Sequence, residues 1–253
     1  MIDEQGFFNW LLVAWFTLSA VTFVVLLVIP APYGRHVRPG WGPRLPARIG
    51  WLLMESTVVV VFFACWILGT NPIAFFPVVF LVVFLSHYLY RAFVYPFRMG
   101  PGASMPLFIV GSGMLFNVVN GYLNGRWLFT LAGPGQFDWI TWPRIALGCL
   151  IFFSGMVINH WADGKLRQLR KEGGGQYGIP RGGLYRLVSS PNYLGEIIEW
   201  AGWAIMTWSL PGLAFAVWTA ANLVPRALHH HRWYGETFPD YPPGRRAIIP
   251  FIL

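Results

Sequence analysis

The chain has 253 residues, of which 56% are hydrophobic, 18% aromatic and only 11% charged, with a formal net charge of +8. A water-soluble domain carries about 25% charged residues, so this chain lacks the groups to cover a solvated surface. Its basic residues are scattered between apolar runs rather than gathered on one stripe, which excludes a nucleic-acid-binding role.

Seven runs reach the roughly 20 apolar residues that a bilayer-spanning helix needs: 7–29, 47–69, 73–95, 104–124, 143–163, 192–210 and 213–233. The first follows Asp3 and Glu4. It lacks the basic flank of a signal peptide and outlasts the usual apolar core of one, so it predicts a retained helix. Within the runs, polar residues are expensive and mark candidate functional positions. Glu55 lies about 8 residues into the second run, roughly 12 Å deep at the rise of an α-helix. Tyr88 lies about 7 residues before the end of the third, roughly 10 Å deep, so antiparallel neighbours bring a carboxyl and a phenol to one level. In the fourth run Asn117, Asn120 and Asn124 form a stripe at helical spacing. Asn159, Asp163 and Arg170 share a face of the fifth run and its cytoplasmic extension. Asn192, Glu196 and Glu199 lie within two turns of the sixth, and Arg226, His230 and Tyr234 repeat every four residues in the seventh.

Charge placement predicts orientation. With the N-terminus outside, every one of the 18 Lys and Arg residues except Arg126 and Arg144 falls on the cytoplasmic side, as the positive-inside rule requires. The expected architecture is all-α and polytopic, with seven transmembrane helices, the N-terminus out and the C-terminus cytoplasmic. Residues 1–253 read as one domain, and the polar faces converge on the inner half of the bundle, facing the cytoplasm.

Other signals are weak. Cys65 and Cys149 sit in apolar runs and read as small core residues. Gly173, Gly175 and Gly178 satisfy G-x-G-x-x-G, but the pattern follows a basic helix end rather than a strand, which rules out a dinucleotide-fold fingerprint and leaves a flexible loop. His229, His230 and His231 are consecutive; on a helix they point about 100° apart and cannot share one metal ion. No metal site is expected.

The stretch LYRLVSSPNYLGEIIEW, followed by HHHRWY, FPDYP and IPFI, resembles the C-terminal half of the steroid 5α-reductases. INHWADGKLRQLRK and HYLYRAFVYP resemble further blocks of that family, and WLLMES does so more weakly, so the resemblance runs along about four-fifths of the chain. It implies seven helices, NADPH as cofactor and reduction of the Δ4 double bond of a 3-oxo steroid. It further implies a substrate side built mainly from the first four spans, and a cofactor side built from the fourth to seventh spans with the cytoplasmic loops. By resemblance, Glu55 and Tyr88 bind the substrate carbonyl. Asn159, Asp163, Arg170, Tyr177, Asn192, Glu196, Arg226, His230 and Tyr234 contact the cofactor, joined by Asn117 and Asn120 in the fourth span. Where the family often has Gln before its substrate Glu, this chain has Met54.

An enone that accepts hydride at its β-carbon builds negative charge on its carbonyl oxygen, and donors aimed there stabilise it as an oxyanion hole does. Tyr88 can donate; Glu55 can orient Tyr88 or, if protonated, donate itself. Trp51 and Trp200 are candidates to pack an apolar substrate, and Arg170 to read the 2′-phosphate of the cofactor, since a guanidinium fork binds two oxygens. The expected partners are a steroid or other apolar enone and the lipid bilayer, with the protein a monomer. Three rivals share the pattern: a membrane S-adenosylmethionine-dependent methyltransferase, a related reductase acting on polyprenal-like or enoyl thioester lipids, and a transporter. The last would need inverted repeats or broken-helix pairs, and the sequence has none.

Overall fold

The computed structural model describes residues 3–70, 72–100, 103–133 and 136–253. It contains α1 (Glu4–Val28), β1 (Arg44–Pro46), α2 (Ala47–Ile67), α3 (Phe75–Phe93), β2 (Ser104–Pro106), α4 (Leu107–Arg126), α5 (Trp142–Glu172), α6 (Pro191–Thr207) and α7 (Leu210–Thr237). Each apolar run of the sequence coincides with one helix to within a few residues at its start. Among the described residues, five helices, α1 to α5, are long and apolar enough to cross a membrane. The other two differ for identifiable reasons. α6 has 17 residues, about 26 Å of helix against a hydrocarbon core of about 30 Å. α7 is longer, but its second half carries Arg226, three histidines and Arg232.

The distribution of polarity is that of a membrane protein. Large apolar side chains such as Trp10, Val24, Val60, Leu115, Leu150 and Val157 are exposed, whereas Glu55, Asn117, Asn120, Asn124, Asn159, Glu199 and Arg245 are buried. Apolar surface of this extent suits lipid, where the backbone must satisfy itself within helices.

The chain divides into two compact units, Met1–Val13 with Ala31–Ile145, and Ala14–Pro30 with Ala146–Leu253. In the first, β1 and β2 pair antiparallel, Leu45 opposite Met105, and each leads through a proline into a helix, α2 or α4. This fixes the starting level of both helices: Ala47 N–H donates to Ala103 O, and Leu107 N–H to Pro43 O. Phe62 of α2 stacks on Phe84 of α3 with ring centres 3.9 Å apart. α4 approaches α2 at Gly125, where a methyl group would come within 2.8 Å of the Cys65 Cβ. At the far end, the Arg126 guanidinium holds both carboxylate oxygens of Glu4.

In the second unit α5 and α6 run backbone to backbone. A Cβ on Gly148 would lie 2.5 Å from the backbone nitrogen of Met206, and one on Gly195 2.6 Å from that of Asn159. Gly155 and Gly202 are equally enclosed, their nearest neighbours including the carbonyl oxygens of Gly195 at 2.5 Å and Gly148 at 2.7 Å. Between α6 and α7 the chain reverses tightly: Trp208 adopts a left-handed conformation at φ 48°, and the Ser209 hydroxyl caps α7 by accepting from Gly212 N–H. Pro225 lies inside α7 and has no N–H to continue the ladder there. The C-terminal tail returns to the loop before α6, with Ser189 N–H donating to Arg246 O at 2.8 Å and Ser190 N–H to Ala247 O at 3.1 Å. That pairing seats Ile248, fully buried, beside Tyr193, Leu194 and Ile197 of α6.

Candidate active site

The first unit contains a carboxyl and a phenol among aromatic walls. Glu55 on α2 and Tyr88 on α3 are 8% and 3% exposed, which satisfies the requirement that intramembrane polar groups turn inward. Arg91 lies one helical turn after Tyr88. Its Nε stands 3.9 Å from Glu55 Oε1, an ionic neighbour rather than a hydrogen bond. Its guanidinium also lies over two rings, 4.6 Å from the centre of Trp51 and 4.8 Å from that of Tyr95. Cation–π contact with both rings holds the charge beside the carboxyl. Trp51 therefore forms a wall of this site, edge-to-face with Tyr95 at 5.4 Å.

The α4 asparagines reach into the same set. Asn117 Nδ2 donates to Met54 O at 2.7 Å, at the residue before Glu55. Asn120 Nδ2 donates to the Tyr88 oxygen at 3.4 Å, and Asn124 Nδ2 lies 3.1 Å from both the backbone and the side-chain oxygen of Asn120.

The second unit gathers the charged set. Because Gly155 and Gly195 let α5 and α6 touch, Asn159 reaches across: its Nδ2 donates to Asn192 O at 2.9 Å and to Glu196 Oε2 at 3.3 Å. Asn192 returns the bond one turn along α5, donating to Asp163 Oδ1 at 3.0 Å. Four of the residues expected at a cofactor thus form one network. Arg226 of α7 donates through Nε to the Tyr193 hydroxyl at 2.8 Å, and the Tyr193 ring packs on His230 at 5.4 Å. Tyr234 stacks on Tyr241, ring centres 5.2 Å apart and nearly parallel. The three consecutive histidines have separate neighbours: His229 Nε2 lies 2.9 Å from Leu26 O, His230 adjoins Tyr193, and His231 Nδ1 lies 2.6 Å from the Ser189 hydroxyl.

Past α5, Gly174 and Gly175 take positive φ and turn the chain, Gly175 N–H donating to Arg170 O at 2.8 Å. The turn brings Tyr177 under the Arg170 guanidinium at 4.5 Å and against Trp233 at 5.3 Å. The G-x-G-x-x-G pattern is thus a turn leaving a helix. Trp200 is 1% exposed, in an aromatic cluster with Phe152 and Phe215.

Sequence reasoning missed Arg91, Tyr193 and Arg245 as site residues. Arg91 was legible as part of a stripe, since Tyr88, Arg91 and Tyr95 fall at helical spacing. Arg245 is 4% exposed; its Nη2 donates to Pro180 O at 2.8 Å, and Nε and Nη1 have no protein acceptor among the described residues. A buried guanidinium with two uncommitted nitrogens suits an anionic ligand.

The sequence that carries the carboxyl–phenol pair of one unit and the amide–carboxylate network of the other matches a definite class of proteins. The family model described as 3-oxo-5-alpha-steroid 4-dehydrogenase matches residues 103–253. Steroid 5-alpha-reductase DET2 of Solanum lycopersicum is 42% identical over 99% of this chain and 98% of its own length. The 3-oxo-5-alpha-steroid 4-dehydrogenase 1 of Bos taurus is 40% identical over 93% of both chains, and that of Homo sapiens is 41% identical over 87% of this chain and 86% of its own. The protein is an oxidoreductase acting on CH–CH groups. It belongs to the 3-oxo-5-alpha-steroid 4-dehydrogenase family, which sets aside the methyltransferase and transporter readings.

Proposed function

We propose that the protein reduces the Δ4 double bond of a 3-oxo steroid to the 5α-dihydro product, with NADPH as reductant and Glu55 and Tyr88 acting on the substrate carbonyl. The observation that carries the reading is the burial of Glu55 and Tyr88 on neighbouring helices within a family of steroid reductases. When bound, NADPH would supply the hydride that the enone β-carbon accepts, and a proton from solvent added at the α-carbon would complete the dihydro product. As negative charge grows on the carbonyl oxygen, the Tyr88 O–H donates to it. Glu55 orients that donor, and Arg91 keeps the carboxyl in place. Trp51 and Tyr95 exclude water, which strengthens each of these interactions.

The residues of the second unit fit a phosphate-bearing cofactor. Arg170, Arg226 and Arg245 supply guanidinium groups, and Asn159, Asp163, Asn192 and Glu196 supply paired amides and carboxylates for the neutral parts of the molecule. Tyr177, His230 and Tyr234 add aromatic faces. The same reading gives α6 and α7 a place in the membrane, for seven spans with the N-terminus outside and the cofactor residues toward the cytoplasm.

Purified protein incubated with NADPH and a panel of enones tests the proposal, with cofactor absorbance followed and products identified. Consumption with Δ4-3-oxo steroids and recovery of 5α products supports it; consumption only with polyprenal-like or enoyl thioester lipids overturns it. Arg170→Ala is expected to weaken NADPH about tenfold or more, the loss of one charged hydrogen bond, and NADH by less than about twofold. Titration of both cofactors decides: equal weakening would remove Arg170 from the 2′-phosphate.

A further inference from the structure

We infer that Asn120 and Asn124 form a relay that fixes the direction in which the Tyr88 hydroxyl donates, so that Asn120 is a positioning residue for the carbonyl rather than a ligand of the cofactor. The inference rests on the reading of Tyr88 as the carbonyl donor.

The polarity follows from a single backbone atom. Asn124 presents one side-chain atom to two oxygens of Asn120, the backbone carbonyl and the side-chain Oδ1, each at 3.1 Å. The backbone carbonyl can only accept. The Asn124 atom facing it is therefore the amide nitrogen. The Asn120 atom that shares this nitrogen must likewise accept, which makes it Oδ1. The amide of Asn120 is thereby fixed, and Nδ2 is the atom that faces the Tyr88 oxygen at 3.4 Å. An amide nitrogen offers no acceptor, so Tyr88 accepts in this contact. A phenol has one proton; with Asn120 taking a lone pair of the oxygen, that proton points away from the Asn120 amide.

Two further features suit the relay to this task. Asn120 and Asn124 are each 1% exposed, so water does not compete for the contact, and a chain of donors in low-dielectric surroundings polarises along its length. The separation of 3.4 Å is at the long end for a hydrogen bond, which favours a role in orientation over one in binding strength. Asn117, on the same stripe, donates to Met54 O and so sets the level of α2 at the residue before Glu55. The stripe thus reaches the Tyr88 hydroxyl on α3 and the α2 backbone beside Glu55, and its side-chain amides are engaged within α2, α3 and α4.

Asn120→Asp replaces the donor by an acceptor that competes for the Tyr88 proton; Asn120→Leu removes both functions at similar volume. For Asn120→Asp, kcat is expected to fall about 30-fold or more, and for Asn120→Leu about tenfold. The Kd for NADPH and the KM for steroid are expected to stay within about twofold. In a Tyr88→Phe background neither change is expected to cost more than about twofold, because a residue acting through Tyr88 has nothing left to orient. Three results would overturn the relay: weaker NADPH binding with kcat retained, equal losses for Asp and Leu, or the same loss with and without the Tyr88 hydroxyl. Tyr88→Phe at the wild-type rate would instead sink the underlying reading of Tyr88, whatever Asn120 does. If thermal unfolding shows that the Asn120 variants do not fold, Asn124→Leu frees the Asn120 amide to rotate. A several-fold fall in kcat with unchanged NADPH affinity then supports the relay, and an unchanged kcat rejects it.

Discussion

Tyr88→Phe is expected to lower steroid turnover about 100- to 1,000-fold, the usual cost of removing one donor from a charge-stabilising site, and Glu55→Gln by a similar factor through loss of the carboxyl that orients that donor. Cofactor affinity is expected to stay within about twofold in both, because neither side chain belongs to the charged set of the second unit. The two substitutions separate the roles of the pair. Phe keeps the ring of Tyr88 packed against Phe84, whose centre is 4.9 Å away, and deletes only the hydroxyl. Gln keeps the volume of Glu55 and deletes the charge that Arg91 faces at 3.9 Å. If Glu55 orients Tyr88, the double variant costs little more than Tyr88→Phe alone, since groups acting as a unit are not additive. If Glu55 acts on the carbonyl independently, the two losses multiply. Single-turnover reduction with saturating NADPH measures both. A wild-type rate in each single variant would remove the pair from the chemistry.

The legible part of this protein was the part written in local patterns. Apolar runs located the helices because a bilayer imposes one length and one polarity on every segment that crosses it. In the fold, proline stands before α2 and α4 and within the first turn of α6 and α7. The intramembrane polar residues announced themselves by cost, and Asn159, Asp163, Asn192 and Glu196 do meet in one network. Partnership was less legible. The amides of Asn117 and Asn120 reach the Met54 carbonyl and Tyr88, partners that become visible only once α4 is known to lie against α2 and α3. Arg91 shares a stripe with Tyr88 and Tyr95, but a basic residue near a helix end is explained equally well by the positive-inside rule, so the stripe went unread. Trp200 illustrates the same limit from the other side. A large aromatic residue in an apolar run suits a substrate wall or a core, and the sequence alone does not place the rings of Phe152 and Phe215 against it.

Gly155→Val, or Gly202→Val, is expected to cost the folded protein itself. The sequence held the cue as two glycine pairs seven residues apart, Gly148 with Gly155 and Gly195 with Gly202, two helical turns on one face. In lipid, helices gain little from burying apolar side chains and associate through close packing, for which small residues are required. At Gly155 a single added methyl would already meet the Gly195 carbonyl at 2.5 Å and the backbone of Glu199. The obstacle is main chain, which cannot rotate aside as a side chain can, so α5 and α6 must separate. Overpacking of this kind ordinarily costs about 1–3 kcal/mol and more where the neighbours are rigid. The consequence extends to function, because the same close approach lets Asn159 span to Asn192 and Glu196 and Asn192 to Asp163. Gly155→Ala, the smallest change, is therefore expected to lower the unfolding temperature in detergent and weaken NADPH together, with the KM for steroid changed less than NADPH affinity. Gly111→Ala is the control on α4: a methyl group there meets nothing within 4 Å, and replacing glycine inside a helix stabilises by about 0.5–1 kcal/mol. Equal behaviour of Gly155→Ala and Gly111→Ala in thermal unfolding would show that α5 and α6 do not depend on backbone contact.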